Sequence, residues 1–315
     1  MKHSRKIAGI DTGKQKLDIA LAGSSASLQV DNEVSGHRRL ADWLSQQRVT
    51  RVGIEASGGY ERTVVRYLRQ QGITVVVFQP IQVRAFATFH LQRAKNDRID
   101  AALIAQCAAA TTKMRPAPDP RLQPLAEQLT LIEQIEEDIA RCKTRREAFL
   151  EPRHRMLLSE QIKQLKAWRA AELRQIGAAL SQHSDLANRL SLLESIPGIG
   201  RRTALALLIQ MPELGTLSRE QAATLLGVAP FDDDSGNRQG QRHIAGGRKR
   251  PRRALYAAAL PAAFRWNDNL IHLYKRLTAS GKSHKLALIA CVRKLIIYAN
   301  TVLARGTPWL ERTPG

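Results

Sequence analysis

A chain of 315 residues is long enough for about two domains, and a hydrophobic content of 43% supplies ordinary cores, which excludes global disorder. A net charge of +21 and an isoelectric point near 10.7 point to a polyanion partner. Cys107, Cys142 and Cys291 lie far apart without CxxC spacing, so they read as buried thiols in a reducing cytosol rather than as a zinc or disulfide framework.

No signal peptide and no apolar run long enough to span a bilayer is read, so the expected location is the cytoplasm, without a membrane partner. The charge is uneven: residues 1–115 carry a net +9, residues 116–190 a net +1 and residues 191–315 a net +11. The two ends read as polyanion-binding domains and the middle as a spacer or assembly element.

Residues 6–11, 16–22 and 27–34 read as three short strands, the first two joined by a turn at Thr12-Gly13-Lys14. Ser35 is expected to cap a helix carrying Leu40, Trp43 and Leu44. Strand 51–56, the Gly58-Gly59 turn, a helix through Val64, Val65, Tyr67 and Leu68, and a buried-type strand at 73–78 follow. Strands in hairpin order, then alternating with helices, predict a mixed α/β sheet covered by helices, the order of the RNase H-like fold.

Four carboxylates stand out against this frame. Asp11 closes the apolar run KIAGID, Glu55 closes VGIE, and Asp97 and Asp100 share one face of a helix three residues apart. Two strand ends and a helix face can converge on one point, where the acids would repel one another unless a cation intervened. Hard oxygen ligands select Mg²⁺ or Mn²⁺, the usual means of phosphodiester cleavage. Any one of the four alone would read as a solvated acid.

Pro116, Pro118, Pro120 and Pro124 mark a boundary. Beyond it Leu122, Leu125, Leu129, Ile132, Ile135, Ile139 and Cys142 form the narrow seam of a long helix, broken by Pro152. Leu158, Ile162, Leu165, Leu173, Ile176 and Leu180 mark a second helix. This coiled-coil-like spacer, 116–190, packs either on itself or on a second protomer, and dimerisation through it is expected.

The C-terminal domain, 191–315, reads as mainly α. SIPGIGRRTALALLIQM has glycines, Gly198 and Gly200, opening an apolar helix, and resembles a helix-hairpin-helix element whose backbone N–H groups approach a phosphate. The alternative is a tight turn before a core helix. Ser218 and Gln221 form a capping box for a short helix. Between VAPF (228–231) and a helix expected from Arg252 lies a loop rich in Gly and charge. Arg238, Arg242, Arg248, Lys249, Arg250, Arg252 and Arg253 surround Ser235, and arginine forks suit phosphate. Ser235 beside Gly236 reads first as a turn former; a nucleophile in such a setting would have its charge build-up stabilised. His243 reads as a base or as a loop histidine.

The motifs GIDTGKQKLD, GIEASGGY, KNDRIDA, LLESIPGIGRRTA, GVAPFDDDSG, GGRKRPRRALYAAAL and VRKLIIYANTVL, in this order, resemble those of the DEDD-type insertion-sequence transposases of the IS110 family, the bridge-RNA-guided serine recombinases of bacteria. The resemblance spans nearly the whole chain. It implies a RuvC-like metal-binding domain at 1–115 with Asp11, Glu55, Asp97 and Asp100 as ligands, and a transposase domain at 191–315 with Ser235 as nucleophile.

It further implies a 5′-phosphoserine link followed by strand exchange, and tetramers (dimers of dimers) whose acid and serine sites come from different protomers. A structured non-coding RNA would pair with donor and target double-stranded DNA. The nucleoid would be the place of action. Asp232, Asp233 and Asp234 depart from the less acidic family run, which leaves a metal or base role open for one of them. A metal-dependent RuvC-like junction resolvase using water, and a non-catalytic nucleic-acid-binding protein, are the alternative readings. The first leaves the Ser235 loop without a role and the second leaves the acids without one.

Overall fold

The computed structural model describes residues 6–91, 97–112, 119–231 and 243–310. Contacts divide the chain into two units, Met1–Ala117 and Pro118–Gly315.

In the first unit, β1 (Lys6–Thr12), β2 (Lys16–Leu21) and β3 (Ser27–Asp31) form an antiparallel meander. β4 (Val49–Glu55) and β5 (Thr74–Phe78) extend the sheet in parallel on the other side of β1, in the order β3-β2-β1-β4-β5. This is the RNase H-like strand order. Helix α1 (Val34–Gln46) connects β3 to β4, and α2 (Arg62–Gln70) connects β4 to β5. α1 starts one residue before the cap expected at Ser35: Glu33 is the N-cap residue, and the Ser35 hydroxyl, already inside the helix, donates to the Glu33 carboxylate.

Strand alternation sorts the sheet into two faces. Ala8, Ile10, Leu17, Ile19, Val52 and Ile54 pack on Leu40 and Leu44 of α1 and Val64 and Leu68 of α2. On the other face Ile7, Val76 and Phe78 pack on α3 (Pro80–Phe89) and on Leu103, Ile104 and Cys107 of α4 (Asp97–Ala110). Each fully buried Leu or Ile here contributes about 1.5–3 kcal/mol of transfer free energy.

α4 lies unusually close to the sheet. A Cβ at Gly9 would sit 2.1 Å from the Ala101 carbonyl oxygen and 2.2 Å from the Ala105 nitrogen, and one at Gly53 would sit 2.8 Å from the Ala108 methyl. Helix backbone therefore rests on strand backbone, which only glycine permits. Arg51 fastens the far end, its Nη1 donating to the Ala108 and Thr111 carbonyls at 3.2 and 3.1 Å.

In the second unit α5 (Leu122–Ala148) and α6 (Pro152–Ser181) form an antiparallel hairpin, with Pro152 at the first turn of α6. All seven predicted seam residues of α5 are buried. The two helices pack on each other. α5 has 27 residues, a length of roughly 40 Å. Its near half, through Leu122, Leu125, Leu129 and Ile132, belongs to the main C-terminal core, together with Ile176 and Leu180 of α6. Its far half forms a separate small core of Ile135, Ile139, Cys142, Ile162 and Leu165.

The main core continues through α7 (Ser184–Glu194), α8 (Arg201–Gln210) and α9 (Arg219–Leu226). Ser218 caps α9 as expected, accepting from the Gln221 nitrogen at 3.1 Å while Gln221 Oε1 accepts from the Ser218 nitrogen at 2.9 Å. The two-residue strands β6 (Pro230–Phe231) and β7 (His243–Ile244) pair antiparallel. α10 (Lys249–Pro261) starts three residues before the expected Arg252, because Pro251 is tolerated in a first turn. A π turn (Ala262–Trp266), α11 (Asp268–Ala279) and α12 (His284–Arg305) complete the unit.

One expectation is corrected: α12 is, by length and composition, apolar enough to cross a membrane. It is the central core helix, with Leu288, Cys291, Val292, Leu295, Ile296 and Ala299 all fully buried.

Gly9→Val should lift α4 off β1 and destabilise the protein by about 3 kcal/mol or more, the upper range for overpacking. Urea denaturation of wild type and variant measures this, and an unchanged midpoint would contradict the close approach.

Candidate functional site

The acids of the first unit are brought to one end of the sheet by register. β1 and β4 are adjacent and parallel, with Gly9 opposite Gly53 and Ile10 opposite Ile54, so Asp11 and Glu55 are the next neighbours along. Alternation puts both on the face of Gly9 and Gly53, the face that α4 covers. α4 runs antiparallel to β4: Arg51 meets Ala108 and Thr111, and Gly53 meets Ile104 and Ala108. Its first turn, with Asp97 as first residue and Asp100 three later, thus lies toward the C-terminal ends of β1 and β4. Asp11, Glu55 and Asp100 are half-buried, and each is engaged in an interaction of its own. The Asp97 side chain lies outside the described residues. Among the described residues no three His, Cys, Asp or Glu side chains form a group that could hold a metal ion.

A fifth acid joins this face. Asp18 sits directly opposite Asp11 in the β1–β2 pairing, and its side chain is only 15% exposed. It accepts from Gln29 Nε2 at 2.7 Å and lies 3.9 Å from Lys16 Nζ. The signal was present in the chain, since a tight hairpin turning after Thr12 sets positions 11 and 18 across from each other.

The loops after β1 and β4 are tied together by Asn32, which sequence reasoning missed. Its Nδ2 donates to the Gly13 carbonyl at 3.0 Å and to the Tyr60 carbonyl at 3.1 Å. Its Oδ1 lies 2.9 Å from Nε2 of the buried His37. An amide oxygen only accepts, so that ring nitrogen carries the proton. Burial lowers the His37 pKa, with Glu33 opposing more weakly. Glu61 completes the second loop, accepting from the Ser57 and Gly59 nitrogens at 3.0 and 2.9 Å and from the Ser57 hydroxyl at 3.3 Å. Desolvation pushes its carboxyl up, but these hydrogen bonds together hold it below the ordinary range.

In the second unit the glycines of 195–200 do different things. Gly198 has a φ of 99°, and a Cβ there would strike the Ala262 methyl at 2.4 Å. Gly200 is the N-cap residue of α8 and faces open space. The N-terminus of α8 is therefore open in front while the turn is locked behind.

Of the arginines expected to bind phosphate, the four among the described residues are engaged within the protein. Arg248 grips Glu213 through two bonds of 2.6 and 2.7 Å and also donates to the Gln210 carbonyl. Arg252 donates to the Gly227 and Gly246 carbonyls at 2.8 and 3.0 Å. Arg253 pairs with Glu137 at 2.8 Å. Arg250 pairs with Glu133 and donates to the Thr130 hydroxyl at 2.8 Å. Glu133, 9% exposed at its side chain, also accepts from Gln210 Nε2 at 3.1 Å and faces Arg202 at 3.4 Å. Lys249 is exposed. Ser235, Arg238 and Arg242 lie outside the described residues, as do Asp232, Asp233, Asp234 and the His243 side chain. β6 and β7 bracket the segment that carries Ser235, with Phe231 opposite His243.

A mixed RNase H-like sheet with acids at its strand ends, followed by a helical unit, defines the structural class. Comparison with known families narrows the class. A DEDD transposase profile of the IS110 type, described as "Transposase", matches residues 8–153, and the profile "Transposase IS116/IS110/IS902 family" matches residues 190–275. The chain belongs to this IS110 family of transposases and is a DNA transposase/recombinase.

Similar curated proteins include the "Pilin gene-inverting protein" of Moraxella bovis, 25% identical over 98% of this chain and 99% of that protein. The "Insertion element IS110 uncharacterized 43.6 kDa protein" of Streptomyces coelicolor is 33% identical over 44% of this chain and 34% of that protein. Among solved structures, RuvC of Thermus thermophilus is similar at 19% identity and a TM-score of 0.27, covering 33% of this chain and 92% of that one.

Asn32→Ala should cost about 1–3 kcal/mol, the loss of three side-chain hydrogen bonds, and should lower DNA cleavage more than DNA binding. Denaturation together with cleavage and binding assays checks this. Because the Glu61 carboxyl is lowered on folding, its contribution is complete above the ordinary value of 4.5 and is lost as pH falls through the lower folded value. Glu61→Gln should therefore flatten the acid limb of the stability–pH curve, measured by thermal melts.

Proposed function

We propose that the chain cuts and exchanges DNA strands under RNA guidance, with a divalent cation at Asp11, Glu55, Asp97 and Asp100 and with Ser235 as nucleophile. The observation that carries the reading is the parallel register of β1 and β4. It sets Asp11 beside Glu55 on the helix-covered face, with the first turn of α4 at the same end. Like charges on one half-buried face repel, and Asp18 adds to them. Hard carboxylate oxygens in this arrangement suit Mg²⁺ or Mn²⁺. Such an ion, when bound, would polarise the scissile phosphate and stabilise the charge that develops on its oxygens.

In this reading the Ser235 oxygen attacks phosphorus, the bond to the 3′ oxygen breaks, and a 5′-phosphoserine forms. The serine proton passes to a base, and the departing 3′ oxygen takes up a proton. Rejoining reverses these steps on the partner strand. Inversion of a gene segment, the act for which the Moraxella relatives are named, needs ends rejoined as well as cut, which supports exchange over simple cleavage. Base pairing by a structured RNA would choose donor and target sites.

The open N-terminus of α8 at Gly200 supports a helix-hairpin-helix role in holding a phosphate. Arg250 and Arg253, 43% and 60% exposed at their side chains, keep donors for backbone phosphates, and Lys249, Arg238 and Arg242 join them in the proposal. Arg248 and Arg252 are assigned to the frame of this loop.

The far half of the α5–α6 hairpin is proposed as the assembly element. Phe149, Leu150, Met156, Leu157 and Trp168 are exposed there, at 44–91%. Dimers of dimers built through it would let the acids of one protomer meet the serine of another.

The deciding experiment is covalent capture. Labelled donor and target DNA, the candidate RNA and Mg²⁺ are incubated with the protein and run on a denaturing protein gel. A DNA-linked band is expected, absent in Ser235→Ala and without RNA. Asp11→Asn should abolish cleavage while RNA binding persists. Cleaved DNA with no linked band would assign water as nucleophile and make the enzyme a resolvase.

A further inference from the structure

α12 is the central core helix, yet Arg293 and Lys294 stand side by side in its middle, both half-buried. With Arg219, the exposed first residue of α9, they surround a recess of about 280 Å³ between α9, α11 and α12. The rest of the wall is apolar, made by Leu273 and Leu277 of α11 and by Ala290 and Ile297 of α12.

One acid, Glu220, also lines the recess. Its carboxyl is held below the ordinary range first by its own backbone N–H and by the Ser218 hydroxyl, which donates at 3.0 Å. Desolvation opposes this, and the charges of Arg219 and Arg293 act more weakly. Among the described residues no carboxylate forms an ion pair with Arg219, Arg293 or Lys294. Three cations against one acid leave the recess positive.

Fold stability does not account for these placements. Arg219 stands at the N-terminal end of α9, where the helix dipole is itself positive and disfavours a cation. Half-burial costs Arg293 and Lys294 hydration that no paired carboxylate returns. An anion seated in the recess would offset both costs, and local conflicts of this kind gather at functional sites.

We infer that this recess holds the sugar–phosphate backbone of double-stranded DNA, with Arg219, Arg293 and Lys294 on phosphate oxygens and the apolar wall against deoxyribose. The guanidinium forks and the ammonium suit phosphate oxygens. Neither an aromatic ring nor an amide side chain lines the recess, so it holds a backbone and reads no base. Deoxyribose fits the wall better than ribose. A ribose 2′-hydroxyl would lie against Leu273, Leu277, Ala290 and Ile297, which offer it no hydrogen bond. The inference rests on the chain's being a DNA transposase, and needs neither RNA guidance nor Ser235.

The test uses the full-length protein and fluorescence anisotropy with a labelled DNA duplex, titrated with salt from about 50 to 200 mM. Arg293→Gln/Lys294→Gln should weaken duplex binding about tenfold and lower the slope of log affinity against log salt by about two. Arg293→Lys, which keeps the charge, should retain most of the affinity. An RNA duplex of the same sequence should lose less. Lys163→Gln/Lys166→Gln removes the same charge from exposed positions on α6 and should change the slope little.

If the double variant melts early, Arg219→Gln carries the test, with a slope lowered by about one. Unchanged DNA affinity and slope would overturn the recess as a site. So would an equal loss in the α6 pair, which would reduce the effect to net charge, or an equal or larger loss on the RNA duplex. Normal DNA binding with lost self-association would make the recess a subunit contact and overturn the inference too. The recess and the serine reading fail separately: unchanged DNA affinity leaves the DNA-linked band in place, and a missing band leaves the salt slopes in place.

Discussion

The contact of α4 with the bare backbone of β1 and β4 is the constraint on which the first unit depends. A helix on a sheet normally stands off by the length of the side chains between them. Here Gly9 and Gly53 remove that layer, and the helix carbonyls and amides sit within reach of where a Cβ would be. The gain is positional. A helix in direct backbone contact cannot slide by a residue without driving Ala101 or Ala105 into the strand. Its first turn is therefore held at the strand ends that bear Asp11 and Glu55. Arg51 adds an anchor at the opposite end of the helix, at Ala108 and Thr111, so the placement of Asp100 is also controlled from that end.

The second unit is organised around a different interaction. Glu133 is buried on α5 and faces Arg202 of α8 and Arg250 of α10, with Gln210 closing the set. A buried carboxylate is costly unless paired and hydrogen-bonded, and this one is both. Its cations come from helices that enclose the main core, so the pairing selects one docking of the α5–α6 hairpin. The near half of the hairpin is bound by this network and by the shared apolar core. The far half carries only its own five-residue core, which leaves its surface chains available.

Much of this was legible in the chain because it rests on local periodicity. The strands of the first unit follow from alternation, and the α5 seam from its three-and-four spacing, residue for residue. The strand-end positions of Asp11 and Glu55 were legible because both residues end apolar runs. Gly9 and Gly53 were not, since what makes them indispensable is a helix ninety and fifty residues away in sequence. Asn32 was hidden for the same reason: its partners, Gly13 and Tyr60, meet only once the sheet has formed. The Ser35 cap was misjudged because the helix backbone begins at Val34, with Glu33 as N-cap two residues earlier, and leaves the serine inside the first turn. The apolar stretch of α12 was not recognised because Arg293 and Lys294 interrupt its hydropathy in sequence.

The arginines show that composition alone does not reveal which partners a charge has within the fold. A run of basic residues around 248–253 invites the idea of a phosphate clamp, but charge along a chain does not reveal where its acidic partners lie. Glu133 and Glu137 are more than a hundred residues upstream, and Glu213 is thirty-five. Two of the four paired or capped guanidiniums, Arg248 and Arg252, spend their donors on the loop frame. Pairing does not remove the long-range field that draws a polyanion to a chain of net charge +21, because the excess resides in the remaining cations. It does change where close contacts form. Arg219, Arg293 and Lys294 line a separate recess of about 280 Å³ between α9, α11 and α12, and Lys249 is exposed on α10. In the reading proposed above, close contacts to a nucleic-acid backbone would therefore be spread over several helices of this unit, as suits an enzyme that holds more than one strand at once.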